Sequence, residues 1–280
     1  MTRFEPADVR RYYDRHTRSF IRFGQGSAAI HRAVWGPGVT TRHEAFHYVE
    51  DRIAQLTRSL VDATPVPHLI DLGCGVGTSL CYLAGLFPIR GTGITISPVQ
   101  AGLAARRIRE AGLSDRVTCV EADYCRLPAS IASADLAYAI ESFVHGPDPH
   151  AMLAAWANVI RPGGVLVVCD DFTRPANSTA ASRAIEQFRR GWHVNTLLSP
   201  DELQTAARSA GFEHEFTDDL SQALELRRGR DRLVRLIASA ASRWPGAGDR
   251  LDHLVGGSAL QECLASGWIG YDFAVFRRRL

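Results

Sequence analysis

The residues with the clearest chemical potential lie in segment 69–78, where an apolar run is followed by an acid and three alternating glycines. The apolar run is typical of a buried parallel strand, and Asp71 stands at its end. Gly73, Gly75 and Gly77 follow, and the next residues predict a helix. A strand, a glycine turn and a helix form a nucleotide-binding crossover, because glycine lets the backbone turn sharply beside a ligand.

The glycine spacing distinguishes this segment from the Gly-x-Gly-x-x-Gly fingerprint of dinucleotide sites. With the acid two residues ahead, Asp-Leu-Gly-Cys-Gly-Val-Gly resembles motif I of the class I S-adenosylmethionine (SAM) methyltransferases. The resemblance implies SAM as cofactor, with Asp71 at its ammonium group and the helix N-terminus near its carboxylate. The alternatives are a site for another nucleotide and a purely structural turn.

The second predicted strand, residues 91–96, lacks the terminal acid that usually meets ribose hydroxyls. The run Gly-Ile-Thr-Ile-Ser-Pro-Val-Gln that spans its end resembles the cyclopropane-fatty-acid and mycolic acid methyltransferases, in which Thr and Gln replace that acid. The resemblance implies cofactor contacts from Thr95 and Gln100, with Ser97 between them. The alternative is that Thr95 is a strand former and Gln100 a solvated helix residue.

Asp123 and Tyr124 follow the third predicted strand, residues 117–121. This position suits Asp123 to accept a hydrogen bond from the adenine amino group, and Tyr124 to lie beside the ring. The alternative is an ordinary aspartate in a turn.

The segment 138–147 leaves the carboxyl end of a fourth predicted strand, where doubly wound sheets place ligands. Its run Tyr-Ala-Ile-Glu-x-x-x-His resembles the sterol C-methyltransferases. Methylation of an alkene makes a carbocation, which a nearby carboxylate can stabilise and deprotonate. Glu141 is therefore the candidate base, and His145 is a second catalytic candidate that orients Glu141 or touches substrate. The alternatives are that Glu141 pairs with an arginine or binds only SAM, and that His145 is structural.

Aromatic and basic residues in the segments outside the core predict the acceptor site. Aromatic faces stabilise cations, and arginine and imidazolium groups suit phosphate oxygens. This combination resembles what a prenyl-diphosphate C-methyltransferase needs. One alternative is that the basic residues form a solvated helix face without a ligand. A weaker alternative is that His43 and His47 bind a metal as a pair. The candidate substrate-binding residues are Tyr12, Tyr13, Arg22, His31, Trp35, His47, Trp192 and His193.

Strands and helices that alternate along most of the chain must position these residues. The alternation predicts an α/β fold with a doubly wound, mostly parallel sheet, the Rossmann-like fold of SAM methyltransferases. Residues 1–62 predict a helical N-terminal cap, in which 28–35 is a short helical piece and 41–60 a longer helix with a capping box. Residues 63–280 form the predicted SAM-binding core, with lid insertions at about 173–198 and 220–268.

Composition limits the class of protein. The chain has 280 residues, 46% of them hydrophobic, and a net charge of +2, so nothing demands a nucleic-acid partner. Six cysteines without a CxxC pair predict free thiols in a reducing compartment. The sequence shows neither a signal-peptide core nor an apolar run of about 20 residues, so we expect a cytoplasmic enzyme without stable membrane insertion. It is compatible with a homodimer, and no motif indicates a metal.

Together these features predict a SAM-dependent C-methyltransferase that acts on the alkene carbon of an isoprenoid, with Glu141 as the base. The expected acceptor is a prenyl diphosphate, either isopentenyl diphosphate or a longer homologue. One alternative is a natural-product O- or N-methyltransferase in which Glu141 is structural. The other is a SAM-binding module without catalysis.

Overall fold

The computed structural model describes residues 4–23, 31–226 and 248–280, without the side chains of Phe20, Arg22, Phe23 and 248–252. Seven strands in these ranges form one sheet. They are β1 (His68–Leu72), β2 (Arg90–Thr95), β3 (Val117–Glu121), β4 (Ala134–Ile140), β5 (Ile160–Thr173), β6 (Phe212–Asp219) and β7 (Ile269–Arg278). Their order is β3-β2-β1-β4-β5-β7-β6, and only β7 runs antiparallel to its neighbours. The predicted Rossmann-like, mostly parallel sheet is confirmed.

Helices cover both faces of the sheet, as the fully buried strand β1 requires. Successive strand residues point to opposite faces, so Leu69 belongs to one apolar cluster and Ile70 to the other. None of the described helices is long and apolar enough to cross a membrane. The helices are α1 (Pro6–Phe23), α2 (Arg42–Ala63), α3 (Thr78–Leu86), α4 (Pro98–Glu110), α5 (Pro149–Val159), α6 (Thr179–Gly191), α7 (Pro200–Ser209) and α8 (Gly248–Ala265).

The order of the strands creates a crevice at one edge of the sheet. Strand β1 lies between β2 and β4, so the chain leaves β1 toward one side and β4 toward the other. Asp71 of β1 is level with Gly93 of β2 and Tyr138 of β4. The loops that follow β1 and β4 therefore meet at the topological switch point, where open α/β sheets bind ligands.

The N-terminal segment differs from its prediction in one place. The capping box at the start of α2 is present: Thr41 caps the helix and Glu44 hydrogen-bonds back to it. The helical piece expected at 28–35 is wrong in its described part, because Val34 donates to the Ala45 carbonyl and Trp35 to the Ala223 carbonyl, each at 2.7 Å. These long-range hydrogen bonds hold the segment extended. Residues 24–30 lie outside the described chain.

Two helices of the predicted lid segments cross closely above the crevice. A Cβ atom on Gly256 of α8 would lie 2.8 Å from the Gly191 Cα atom at the end of α6, so only glycine allows this approach. Phe188 of α6 and Leu260 of α8 face the cavity below. Residues 227–247 of the second lid segment lie outside the described ranges.

We predict that Trp156→Ala lowers the free energy of unfolding by about 3–5 kcal/mol. Trp156 of α5 is fully buried, packs edge-on against Phe143, and donates a hydrogen bond from its indole to the Tyr124 carbonyl at 3.2 Å. Chemical denaturation followed by circular dichroism measures the change. As a control, Leu86→Ala at a site 51% exposed should change the stability by less than about 0.5 kcal/mol. Equal losses for the two variants would contradict this view of the core.

Candidate active site

A cavity lies at the carboxyl ends of β1, β2 and β4, where the sheet changes direction. Its walls enclose roughly 1270 Å³, part of it open to solvent. Helix α1, the loop after β1, the end of β5, and helices α6 and α8 all contribute side chains. Segments that are distant in the sequence therefore line one cavity.

The glycine loop is held tightly between its neighbours. The amides of Gly73 and Cys74 both donate to the Ile94 carbonyl, at 2.9 and 2.8 Å. Gly73 has a φ of 98°, and a Cβ atom there would lie 2.4 Å from the Cβ atom of Ser142. The Ser142 hydroxyl in turn donates to the Leu72 carbonyl at 2.5 Å. Position 73 therefore requires glycine, and the loop leaves a backbone-lined cradle on the cavity wall.

Asp71 lies on that wall and is 3% exposed. Burial, with a smaller contribution from the nearby Glu50 carboxylate, raises the pKa of its carboxyl to about 7. A buried carboxyl of this kind binds a cationic group favourably, so the wall suits the ammonium of an amino acid moiety. Gly75 also lines the cavity, whereas Gly77 adopts a φ of 75° to cap α3 and does not line it.

The end of β2 forms the next part of the wall. The Thr95 hydroxyl donates to the Gln100 side-chain oxygen at 2.7 Å, and the Gln100 amide donates to Thr17 of α1 at 3.2 Å. Thr95 and Gln100 line the cavity, but Ser97 does not. Ser97 instead caps α4 and donates its hydroxyl to Asp14 of α1. Helix α1 is thus fastened over the expected ribose position by two hydrogen bonds.

Asp123 and Tyr124 line the cavity beside this position. One carboxylate oxygen of Asp123 accepts from the Cys125 amide at 2.8 Å. The Tyr124 hydroxyl donates to the Ser142 carbonyl at 2.7 Å, so its ring is fixed against the glycine loop. The pair would flank an adenine ring as the sequence predicts.

Glu141 occupies a sterically unusual position at the end of β4, with a φ of 51°. Its Oε1 atom accepts from the Arg32 amide at 2.9 Å and from the Tyr271 hydroxyl at 3.0 Å. The Arg32 Nε atom lies 3.3 Å from the same oxygen. These contacts are all made to Oε1, and Oε2 accepts no hydrogen bond from the described residues. The arginine partner considered for Glu141 is present, and the carboxylate still lines the cavity.

Two further acids at the end of β5 lie beside Glu141, and the sequence reasoning missed both. Arg32 donates twice to Asp171, at 2.8 and 2.7 Å, and its guanidinium lies 4.5 Å from the centre of the Tyr271 ring. Asp170 is fully buried, and burial together with the Asp171 charge raises its pKa well above the usual range. Both acids directly follow the apolar run 165–169 within β5, and that signal was sufficient to predict them.

His145 is a neutral imidazole on the cavity wall. Its Nδ1 atom lies 3.2 Å from the His193 carbonyl, which accepts only from a protonated nitrogen, so the network assigns the hydrogen to Nδ1. The Tyr13 hydroxyl, 2.6 Å from Nε2, is then the donor to that atom. Burial lowers the pKa of His145 to about 4. His145 makes no hydrogen bond to Glu141, so it does not orient that carboxylate directly.

The predicted substrate-binding residues divide into two groups. Tyr13, His31 and Trp192 line the cavity, whereas Tyr12, Trp35, His47 and His193 do not. The side chain of Arg22 lies outside the described residues.

Packing explains each side chain that lies away from the cavity. Tyr12 is buried with its ring centre 4.7 Å from that of His193. Trp35 is 37% exposed, and its indole points to Glu225 at 3.4 Å. His47 stacks on the Tyr82 ring with centres 4.0 Å apart. No group of three or more potential metal ligands occurs among the residues described here.

The described basic residues of the N-terminal segment do not form an open anion clamp on the cavity wall. His31 donates to the fully buried Glu50 at 2.8 Å, and this pairing raises the pKa of His31 to about 9 against the effect of burial. Ser79 donates to the same Glu50 oxygen at 2.9 Å. Arg32 is paired with Asp171. Both described cations of this segment on the cavity wall therefore already have carboxylate partners.

The fold and the cavity together define a class I SAM methyltransferase. The strand order, the glycine cradle after β1 and the buried Asp71 fit the amino acid end of SAM, and the pockets after β2 and β3 fit its ribose and adenine. A family model described as "Methyltransferase domain" matches residues 70–168. The chain belongs to the SAM-dependent methyltransferase family, and its cofactor is SAM.

Several curated relatives support this membership. The chain is 35% identical over 211 residues to the O-methyltransferase cnsE of Penicillium expansum, covering 74% of this chain and 73% of that one. It is 33% identical to the 27-O-demethylrifamycin SV methyltransferase of Amycolatopsis mediterranei, over 69% and 70% of the two chains. It is also 32% identical to 24-methylenesterol C-methyltransferase 2 of Oryza sativa, over 74% of this chain and 56% of the relative.

Solved structures agree with the fold. The [4+2]-cyclase SpnF superposes with a TM-score of 0.73 and 25% identity, over 100% of this chain and 98% of that one. A geranyl diphosphate C-methyltransferase from Streptomyces coelicolor, in complex with Mg²⁺, geranyl diphosphate and S-adenosyl-L-homocysteine, superposes with a TM-score of 0.68. It shares 18% identity over 98% and 97% of the two chains, so it shows a shared fold.

We predict that SAM binds more tightly as the pH rises toward 7. Below its pKa of about 7 the Asp71 carboxyl is protonated and cannot pair with the SAM ammonium, which stays charged in this range. The Kd measured by titration calorimetry should fall about tenfold between about pH 5.5 and pH 7.

The control for this pH profile is Asp71→Asn, which should bind SAM weakly and with little pH dependence in the same window. If the Kd of that variant changes with pH as the wild-type Kd does, a group other than Asp71 controls the pH dependence of SAM binding.

Proposed function

We propose that the protein transfers the SAM methyl group to an alkene carbon of an apolar isoprenoid, with Glu141 as the base. The observation that carries this proposal is that the Glu141 carboxylate lines the same cavity as the cofactor cradle and shares Arg32 with Asp171. A carboxylate in that cavity can stabilise positive charge that develops on the acceptor.

The residues around Glu141 suit this chemistry. SAM supplies an electrophilic methyl group. The alkene electron pair forms the new carbon–carbon bond while the bond between the sulfonium sulfur and the methyl carbon breaks, and S-adenosylhomocysteine is the leaving group. The cation left on the substrate then loses a proton from a neighbouring carbon. Oε2 of Glu141 accepts no hydrogen bond from the described residues. It would accept that proton while the C–H electron pair restores an alkene. Arg32 and Tyr271 hold the carboxylate through Oε1, so it is oriented before the substrate binds.

Apolar side chains from three helices also line the cavity, which favours a hydrocarbon acceptor. Helix α1 contributes Val9, α6 contributes Phe188, and α8 contributes Leu260. Trp192 adds an aromatic face that can stabilise a cation and exclude water from it. The acceptor would therefore lie between an apolar lid and an acidic floor.

The charge of the described walls argues against a diphosphate in this part of the cavity. The described cations there, Arg32 and His31, are both paired. The acids on the same walls are Asp71, Asp123, Glu141, Asp170 and Asp171. We therefore propose an isoprenoid whose methylated end is uncharged; a prenyl diphosphate would need its charged end held by groups beyond the described residues.

A second candidate is methylation of a natural-product hydroxyl, which two observations favour. Two of the relatives reported above are O-methyltransferases. His145 also has the geometry of a general base, because Nδ1 is fixed by the His193 carbonyl and Nε2 can accept a proton. Tyr13, which now donates to Nε2, would have to yield that position to the substrate hydroxyl.

A product screen tests the proposal. The purified protein is incubated with methyl-labelled SAM and three acceptor sets: neutral isoprenoids, prenyl diphosphates with and without Mg²⁺, and polyketide or macrolide alcohols. Mass spectrometry and NMR then locate the label. Label on carbon supports the proposal, and label on oxygen replaces it with the second candidate. SAM binding without transfer to any acceptor would favour a non-catalytic module.

We predict that Glu141→Gln lowers kcat by about 100-fold or more if the base is Glu141, because the amide cannot accept the proton. The KM for SAM should change little. In that case His145→Gln should lower kcat less than Glu141→Gln does. If a hydroxyl is methylated, His145→Gln should lower kcat more. Glu110→Gln, at an exposed ion pair on α4, is the matched control and should retain full activity. A Glu141→Gln variant with wild-type kcat would exclude Glu141 as the base.

A further inference from the structure

Two thiols meet beside the cofactor loop. The Sγ atoms of Cys74 and Cys119 lie 3.6 Å apart. Cys74 belongs to the glycine loop, and Cys119 lies on β3 level with Gly93 of β2. A Cβ atom on Gly93 would lie 2.8 Å from the Cys74 sulfur, so a side chain at position 93 would displace that thiol. Glycine at position 93 therefore leaves the Cys74 sulfur in its place beside Cys119.

Both cysteines have some exposure to solvent. Cys74 is 8% exposed and lines the cofactor cavity. Cys119 is only partly buried, and β3 is the edge strand of the sheet. The pair differs in this respect from Cys169, which is fully buried in β5. Free thiols that are close together and accessible are candidates for reversible oxidation.

We propose that Cys74 and Cys119 form a reversible disulfide on exposure to peroxide and that this bond weakens SAM binding. A disulfide needs the sulfurs to approach to about 2.0 Å, so one of them must move by roughly 1.5 Å. Cys119 is held in the β2–β3 ladder, whereas Cys74 lies in a loop. Displacement of that loop would carry Gly73 and Gly75 away from the amino acid end of the cofactor.

The chemistry balances with hydrogen peroxide as oxidant. The Cys119 thiolate attacks one peroxide oxygen, the O–O bond breaks, and a first water leaves with a proton from solution. The resulting sulfenic acid is attacked by the Cys74 sulfur, which forms the S–S bond and releases the hydroxyl as a second water. Two thiols lose two electrons, and the peroxide gains them. The hydrogen bond from Cys74 lowers the pKa of Cys119, consistent with Cys119 reacting first.

The test uses the full-length protein treated with hydrogen peroxide, with and without later reduction by dithiothreitol. Remaining thiols are alkylated after denaturation, and tandem mass spectrometry of tryptic peptides identifies the linked cysteines. Titration calorimetry measures SAM affinity. We expect a Cys74–Cys119 crosslink, a loss of SAM affinity of about tenfold or more, and recovery on reduction.

Two variants separate this disulfide from general oxidative damage. Cys119→Ser should retain its SAM affinity after peroxide treatment, since no crosslink can form. Cys81→Ser removes another partly buried thiol, on α3, and should lose affinity like the wild-type protein. Thermal denaturation by circular dichroism checks that both variants fold. An oxidised wild-type protein without the crosslink, or a Cys119→Ser variant as sensitive as the wild type, would overturn the proposal.

Discussion

The contact between the Gly73 backbone and the Ser142 side chain is the constraint on which the site depends. It brings the loop after β1 against the loop after β4, and the Ser142 hydroxyl fastens the two by donating to the Leu72 carbonyl. A Cβ atom at position 73 would lie 2.4 Å from the Ser142 Cβ atom, so a side chain there would force the two loops apart. The cofactor cradle and the Glu141 carboxylate would then no longer face the same cavity.

Electrostatics give the second level of organisation. Arg32, from the segment before α2, joins the ends of β4 and β5 by binding Glu141 and Asp171 together. Because these carboxylates are largely removed from water, their charges interact with a bound cation more strongly than they would on a surface. The N-terminal segment thereby contributes a paired cation, Arg32, to the cavity wall.

Two candidate reactions fit the cavity because it contains two potential bases, a carboxylate and a neutral imidazole. Glu141 is held by an arginine and a tyrosine through one oxygen, while His145 is kept neutral by burial. The carboxylate suits a cationic intermediate and the imidazole suits a hydroxyl. The apolar side chains of α6 and α8 are compatible with either acceptor. The atom that receives the methyl group therefore distinguishes the two reactions.

The core fold and the cofactor half of the site could be predicted from the chain alone, because both depend on local patterns. Buried strands, the glycine spacing and Asp71 are contiguous, and a parallel sheet places such segments at one edge whatever surrounds them. Gly77 and Ser97 belong to the same motifs but serve as helix caps, which spacing alone does not distinguish from ligand contact.

The acceptor half depends on contacts between distant segments. Arg32 meets Asp171 across 139 positions of sequence, and Tyr13 meets His145 across 132. Residue type indicated that Trp35 and His47 could bind a ligand, but long-range packing turned them to other partners. The sequence by itself determined the sheet, the cofactor and the acid at the end of β4. Only the tertiary structure decided which basic groups are neutralised by carboxylates, because that depends on side chains that no local pattern brings together.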